Sequence, residues 1–485
     1  MQFEGAWRPW RQISRAIETL DATVSRGEPG SGEPGAGALV GVVVRNRPEI
    51  AGAILGVLGT GRCLVTLSSA VPLAALVAEI RALALPVVVA CPSDWGDELR
   101  AAVRDAGSLG LAVHDSDAAP EVIVPAGPRR ADAPTTRPGV AVQMLTSGTT
   151  GTPKRIDLLY ESLEHEIVST MQYGSSGADR EPRLASGVAI VWNPLLHIGG
   201  LRGLITNVVA GRRIALLERF SVPAWAALVR EHRPKAVSLV PSALRMVLDS
   251  DLPGDALEGV QAVFSGTAPL AAETAHRFEQ RFGIPVLVVY GATEFAGGVA
   301  GWTIRDWRRF GADKPGSVGR PNPGIDVRIV DQETGAPLAN GAVGLLEVRG
   351  PQLAHDGWLR TTDLARMDDD RFVWIEGRAD DVIIRGGFKV VTGHVTETLR
   401  RHPAVLDACV IGRPDERLGQ VPVVAIELRA GTTLTADELV AWSRERLSGY
   451  EVPVAVQIVD ALPRTPSMKV SQHAVQKLFD GPAAP

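Results

Sequence analysis

Four stretches of this sequence carry side chains suited to phosphate and carboxylate chemistry. The first, Val140 to Lys154, reads VAVQMLTSGTTGTPK: an apolar run enters a loop of Ser, Thr and Gly closed by a lysine. Glycines let backbone N–H groups approach an anion closely, and the hydroxyls and Lys154 add donors and charge. The Walker spacing, G-x-x-x-x-G-K-[ST], does not fit here. The second, Val288 to Glu294, reads VVYGATE. In an open α/β sheet, ligands sit beyond the carboxyl ends of the strands. There Tyr290 can stack on a base, Thr293 can donate to a phosphate and Glu294 can hold Mg²⁺. In the third, Trp358 to Lys389, Asp363 follows a predicted strand and can accept both hydroxyls of a ribose, and Arg378 can reach a phosphate. Asp380 and Asp381 precede an apolar run and a Gly-Gly turn, while Asp368-Asp369-Asp370 reads as a solvated turn. In the fourth, Leu462 to Ser471 (LPRTPSMKVS), Lys469 lies in a Pro-rich loop, where a lysine usually serves only solubility. The chain has only six lysines among its 50 basic residues. A lysine retained against so strong an arginine bias draws attention to Lys154, Lys389 and Lys469.

The elements that must position these groups follow from the apolar pattern. Val- and Leu-rich runs at Leu39–Arg45, Cys63–Leu67 and Pro86–Ala90 alternate with amphipathic segments at Pro48–Leu58, Pro72–Ala84 and Asp97–Asp105. Continuous apolar strands between helices predict a mostly parallel sheet covered on both faces. The same texture returns from Val188 to Tyr290, turns to β with Asp, Gly, Pro and Asn turns from Val327 to Gly350, and ends in a small α+β region. The predicted class is therefore α/β. A large N-terminal part has layered, mostly parallel sheets with a β subdomain, and a small C-terminal α+β part follows it.

Composition narrows the function classes. With 485 residues the chain is long enough for two to four domains. The net charge of −5 gives no field for general nucleic-acid binding. Cys63, Cys91 and Cys409 are far apart, so neither a zinc knuckle nor a disulfide framework is indicated. No apolar run reaches the length of a membrane span, and Met1 to Leu20 lacks a signal-peptide core, so a cytoplasmic location is expected. Gly30-x-Gly32-x-x-Gly35 matches the dinucleotide fingerprint formally, but the glycines precede a strand and Pro34 interrupts them.

The four stretches, in this order, resemble the adenylate-forming superfamily of acyl- and aryl-CoA synthetases, luciferases and peptide-synthetase adenylation domains. Asn193 to Gly200 (NPLLHIGG) and Ser265 to Leu270 (SGTAPL) add to the likeness, which spans about Leu39 to Lys477. The resemblance implies ATP-dependent activation of an aryl or fatty acid to an acyl-adenylate, then transfer to CoA. Mg²⁺ would assist, and CoA or a separate carrier protein would be the partner. Thr146, Ser147, Gly148, Thr149, Thr150, Gly151 and Lys154 would hold the β- and γ-phosphates. Gly266, Thr267 and Ala268 would wall adenine and Tyr290 would stack on it. Thr293 would touch the α-phosphate, Glu294 would hold Mg²⁺, and Asp363 would bind ribose with Arg378 nearby. Lys469 would be the catalytic lysine. Asp380 would be the hinge between a core at 1–379 and a mobile domain at 380–485. His197 and Phe295 to Gly301 would border the acyl pocket, with Ala296, Gly297 and Gly298 leaving a slot.

The likeness also has departures. Thr362 and Met468 stand where such enzymes usually carry Gly, and Thr392, His394 and Thr396 replace their Pro, Glu and Glu. All lie in or near the small C-terminal part. An acceptor other than CoA (a carrier thiol, an amine, or nitrite) is therefore the alternative, with a nucleotide-binding protein that has lost catalysis as a reading of another class. No acid lies between Trp192 and Leu201, where amino-acid-activating relatives place the partner of the substrate ammonium, so an α-amino acid is disfavoured.

Overall fold

The computed structural model describes residues 1–27, 39–128, 138–146, 154–172, 185–379, 381–465 and 468–479. The glycine-rich run at 28–38 lies outside them.

The first large sheet has seven strands. Its central five, Leu39–Val44, Cys63–Ser68, Val87–Ala90, Leu109–Ala112 and Val140–Thr146, run parallel, and Glu121–Val124 and Lys154–Leu159 close the two edges antiparallel. Strands such as Leu39–Val44 are buried at every position. Helices on both faces require this, and it is why their sequence is continuous and not alternating. Helices Pro48–Gly59, Leu73–Leu83 and Asp97–Asp105 fall within a residue or so of the expected ranges.

A second sheet joins Ala236–Ser238, Ala262–Ser265 and Val286–Ala292 in parallel, then turns antiparallel through Gly297–Gly301 to Arg320–Pro321. The turn is tight. A Cβ on Gly291 would lie 2.1 Å from the carbonyl oxygen of Gly297, so only glycine fits there. A four-stranded antiparallel sheet, Asp326–Val330, Gly344–Arg349, Leu359–Met367 and Val373–Arg378, supplies the β texture. The Asp368–Asp370 turn is more than a solvated one. Asp368 and Asp370 grip Lys314 at 2.6 and 2.9 Å, and Asp368 also accepts from the Phe372 amide.

The C-terminal part builds its own sheet from Phe388–Val391, Val382–Arg385, Gly419–Leu428, Val405–Asp415 and Ala455–Val459. Its core is separate, around Val395, Leu399, Val424, Ile426 and Leu439. It meets the N-terminal part through ion pairs. Arg245, on helix Pro241–Leu248, reaches Asp407 at 3.3 Å, and Asp249 reaches Arg429 at 3.0 Å. Met468 packs on the apolar cluster that holds Trp192, Trp225 and Phe278.

Candidate active site

The carboxyl ends of the second sheet's parallel strands carry the candidate residues. Strand Ala262–Ser265 runs out into Gly266, Thr267 and Ala268. Thr267 holds φ +72°, a region that β-branched residues avoid, and its methyl lies against Gly199 at the start of helix Ile198–Val209. On the neighbouring strand, Tyr290 is followed by a register shift, then by the Thr293–Phe295 turn. Strand Lys154–Leu159, which follows the Ser/Thr/Gly loop in sequence, touches that turn. Thr146 and Lys154 pair across the base of the loop. Ser147, Gly148, Thr149, Thr150 and Gly151 lie outside the described residues, as does Asp380.

Asp363 sits inside strand Leu359–Met367, not after it, directly opposite Arg378. The Tyr290 hydroxyl donates to its carboxylate. Burial, and then the adjoining Asp363 charge, push the Tyr290 phenol well above its ordinary range, so it remains a donor. Arg378 donates through Nη2 to the hydroxyl of Thr362 at 2.7 Å. The unusual threonine therefore holds the arginine. Thr362→Gly should free that side chain at a cost of about 1 kcal/mol, or roughly five-fold in KM for ATP. Steady-state kinetics should show this change with little effect on the melting temperature.

Lys469 arrives from the C-terminal part on a tight hairpin. The amide of Met468 donates to the Thr465 carbonyl, and the Thr465 amide donates to the Lys469 carbonyl, both at 2.8 Å. Met468 turns the hairpin at φ +63°, a left-handed conformation that glycine adopts without strain. Arg464 braces the hairpin, with Nη2 at 2.7 Å from Asp407 and Nη1 at 3.4 Å from the Met468 carbonyl. Burial lowers the Lys469 pKa, the Glu294 carboxylate opposes that shift, and Arg378 adds to it. The lysine is half-buried and within electrostatic range of Glu294, Arg378 and His197, not exposed on the surface. Lys469 and Arg378 thus share one region with Glu294 and Asp363, so added positive charge and carboxylates suited to Mg²⁺ and ribose lie together.

His197 caps helix Ile198–Val209. Burial, and then the Lys469 charge, push its pKa down to about 4, so the ring is neutral at pH 7. The loop before it is pinned by Asn46, which no motif pointed to. The Asn46 amide nitrogen donates to the carbonyls of Trp192, Asn193 and Leu217, and its oxygen accepts from the Leu195 amide at 2.8 Å. Asn46 ends the strand Leu39–Val44 region, more than a hundred residues away, so only the folded register reveals the contact.

Glu294 is solvent-facing, and no cluster of three or more His, Cys, Asp or Glu ligands occurs among the described residues. That suits Mg²⁺, which keeps waters and takes one or two carboxylates together with substrate phosphates. It does not suit a metal caged wholly by protein.

The AMP-binding enzyme family matches residues 33–356 and its C-terminal domain matches residues 394–469. The sulfoacetate–CoA ligase of Cupriavidus necator is 31% identical over 486 residues, covering 94% of this chain and 90% of its own. The 2-succinylbenzoate–CoA ligase of Bacillus velezensis is 31% identical over 372 residues, covering 73% and 72%. In three dimensions, the o-succinylbenzoate CoA synthetase of Bacillus subtilis, in complex with its acyl-adenylate, superposes with a TM-score of 0.78 at 24% identity, covering 99% of this chain and 94% of that one. AMP-binding CoA ligases use ATP, Mg²⁺ and CoA. The family matches and these relatives place the chain in the AMP-binding enzyme family, as an AMP-forming acid–CoA ligase of the adenylate-forming superfamily.

Proposed function

We propose that this chain activates an aryl or fatty carboxylic acid as its acyl-adenylate and passes the acyl group to CoA. The observation that carries the reading is Lys469, half-buried and within electrostatic range of Glu294, Arg378 and His197. In the first step, an acid oxygen bonds to the α-phosphorus of ATP as the bond to pyrophosphate breaks. An anion attacks a polyanion, so the main demand is neutralisation of charge. Lys469 stands where it bridges the acid and the α-phosphate, and Arg378 adds positive charge. Thr293 donates to the α-phosphate. Asp363, oriented by Tyr290, accepts from the ribose, and Gly266–Ala268 wall the base. Lys154 and the loop of Thr146 to Gly151 hold the outer phosphates. Glu294 would hold Mg²⁺, which neutralises charge on the phosphates when bound. In the second step, the CoA sulfur bonds to the acyl carbon and AMP leaves.

Lys469 enters from the separate C-terminal core, so the residues on either side of Asp380 are the natural division. Units at 1–379 and 380–485 would move relative to each other between steps. The departures at Thr392, His394 and Thr396 favour one second reading, the same adenylation with a carrier thiol, an amine or nitrite as acceptor. No helix among the described residues is long and apolar enough to cross a membrane.

The test is pyrophosphate release from Mg·ATP over aryl, cinnamyl and fatty acids, with and without CoA. One responsive acid class with thioester formed supports the first reading. Pyrophosphate release that CoA leaves unchanged supports the second, and no release with any acid overturns both.

A further inference from the structure

Helices Tyr160–Gln172 and Ile198–Val209 pack together, and the second also touches strand Gly297–Gly301. Glu166 lies between them, 3% exposed. The space beside Gly297 is not an open slot: a Cβ there would sit 2.8 Å from the Glu166 carboxyl carbon. Oε1 of Glu166 accepts from the Thr170 hydroxyl at 3.0 Å and faces Arg202 Nε at 3.4 Å. Oε2 is buried and makes no hydrogen bond of normal geometry among the described residues, and the only further donor near the carboxylate there is the Gly298 backbone amide. On the same helix face Ser169 Oγ is also unpartnered, and so is Thr206 Oγ1, one turn beyond Arg202 on the second helix. His197 Nε2, at the cap of that second helix, is a further unpartnered atom. Buried polar atoms without partners are few in native proteins, and a group of them calls for an explanation.

A hydrocarbon acid would leave Oε2 desolvated and unpaired, which is costly. An ammonium group would need net negative charge, but Arg202 already cancels Glu166. A neutral N–H or O–H satisfies the acceptor without adding charge. We infer that the acyl pocket selects a carboxylic acid bearing a neutral amino or hydroxyl group remote from its carboxylate, with Glu166 Oε2 as the acceptor for that group. The inference rests on the ligase reading and names its substrate class. Glu166 is then a specificity-determining residue, supplied by a helix outside every motif.

The experiment is ATP–pyrophosphate exchange with matched acids. Benzoate, cinnamate and a medium-chain fatty acid are each compared with ring-amino, ring-hydroxy or ω-hydroxy derivatives. A site built around a hydrogen bond discriminates strongly against analogues lacking the donor, so at least one derivative should exceed its parent by about ten-fold or more in kcat/KM. In Glu166→Gln, Thr170 and Arg202 hold the amide oxygen at the Oε1 position, so the NH₂ replaces the acceptor. That variant should lose roughly 10–100-fold with the derivative while the parent acid changes little, because a donor now meets a donor. Unchanged melting would show that the fold is intact. Equal rates for every matched pair, or equal losses for both members in Glu166→Gln, would overturn the inference and leave the ligase reading standing. No exchange with any acid would remove that reading, and the inference with it.

Discussion

Replacing Lys469 with alanine should lower ATP–pyrophosphate exchange by roughly 10²–10³-fold or more, the usual cost of one preorganised donor at developing charge. Among the described residues of the C-terminal hairpin, the lysine is the group whose charge acts on Glu294 and His197. Arg378 remains, but its guanidinium is tethered to Thr362. The loss should appear in the adenylation step. Thioester formation from acyl-adenylate supplied ready-made should suffer far less, because that chemistry no longer needs the attacking carboxylate neutralised. Comparing the two half-reactions in one variant checks this. Equal losses in both would mean the substitution had disturbed the small domain as a whole.

The second large effect is structural. Asp407 is 1% exposed and is held by Arg400 at 2.7 Å, Arg464 at 2.7 Å and Arg245 at 3.3 Å. Burial raises its pKa, but Arg400, Arg245 and Arg464 overcome that and pull it down to about 2. Asp407→Ala would remove the buried carboxylate that three arginines share, leaving Arg400 with Glu397, Arg464 with Glu427 and Arg245 with no ion pair among the described residues, and should cost about 3 kcal/mol. Arg464 would keep only its longer ion pair with Glu427 at 3.4 Å, a weaker brace for the Lys469 hairpin, and Arg245 would lose the pair by which it joins the two parts of the chain. Thermal unfolding should therefore begin earlier, and adenylation should fall in the same variant. The pH dependence has a definite sign. The unfolded carboxyl protonates near its ordinary ~3.9, and the folded one only near 2. The stabilisation is complete above about pH 4 and is lost as pH falls through 2. It is on the order of 2 kcal/mol. His197 acts in the same direction at higher pH. Its folded pKa of about 4 lies below the unfolded value, so stability declines as pH falls from about 6.5 toward 4.

The alternation of buried strands and amphipathic helices was legible because each is a local pattern. Helix Asp97–Asp105 falls on the expected residues. Tyr290 and Glu294 stand out as residue types near the end of a strand, whereas Asp363, expected after a strand, lies inside Leu359–Met367. Lys469 has the sequence surroundings of a surface lysine, and only the likeness of its loop to the adenylate-forming superfamily singles it out. Other features were hidden because they arise from register between distant segments. Asn46 pins a loop near residue 193, Glu166 meets Gly297, and Arg245 meets Asp407. Nothing in a single sequence places such pairs together. Thr362 was visible as a departure, but its grip on Arg378 appears only once strand Val373–Arg378 pairs beside it.

The most direct test of acyl-adenylate chemistry follows an oxygen atom. An acid that supports pyrophosphate release would be labelled with heavy oxygen in its carboxylate and converted to thioester with ATP and CoA. Attack of the carboxylate on the α-phosphorus predicts one labelled oxygen in AMP and none in pyrophosphate. Label in pyrophosphate or inorganic phosphate, with AMP unlabelled, would place the attack at another phosphorus and contradict the role assigned to Lys469.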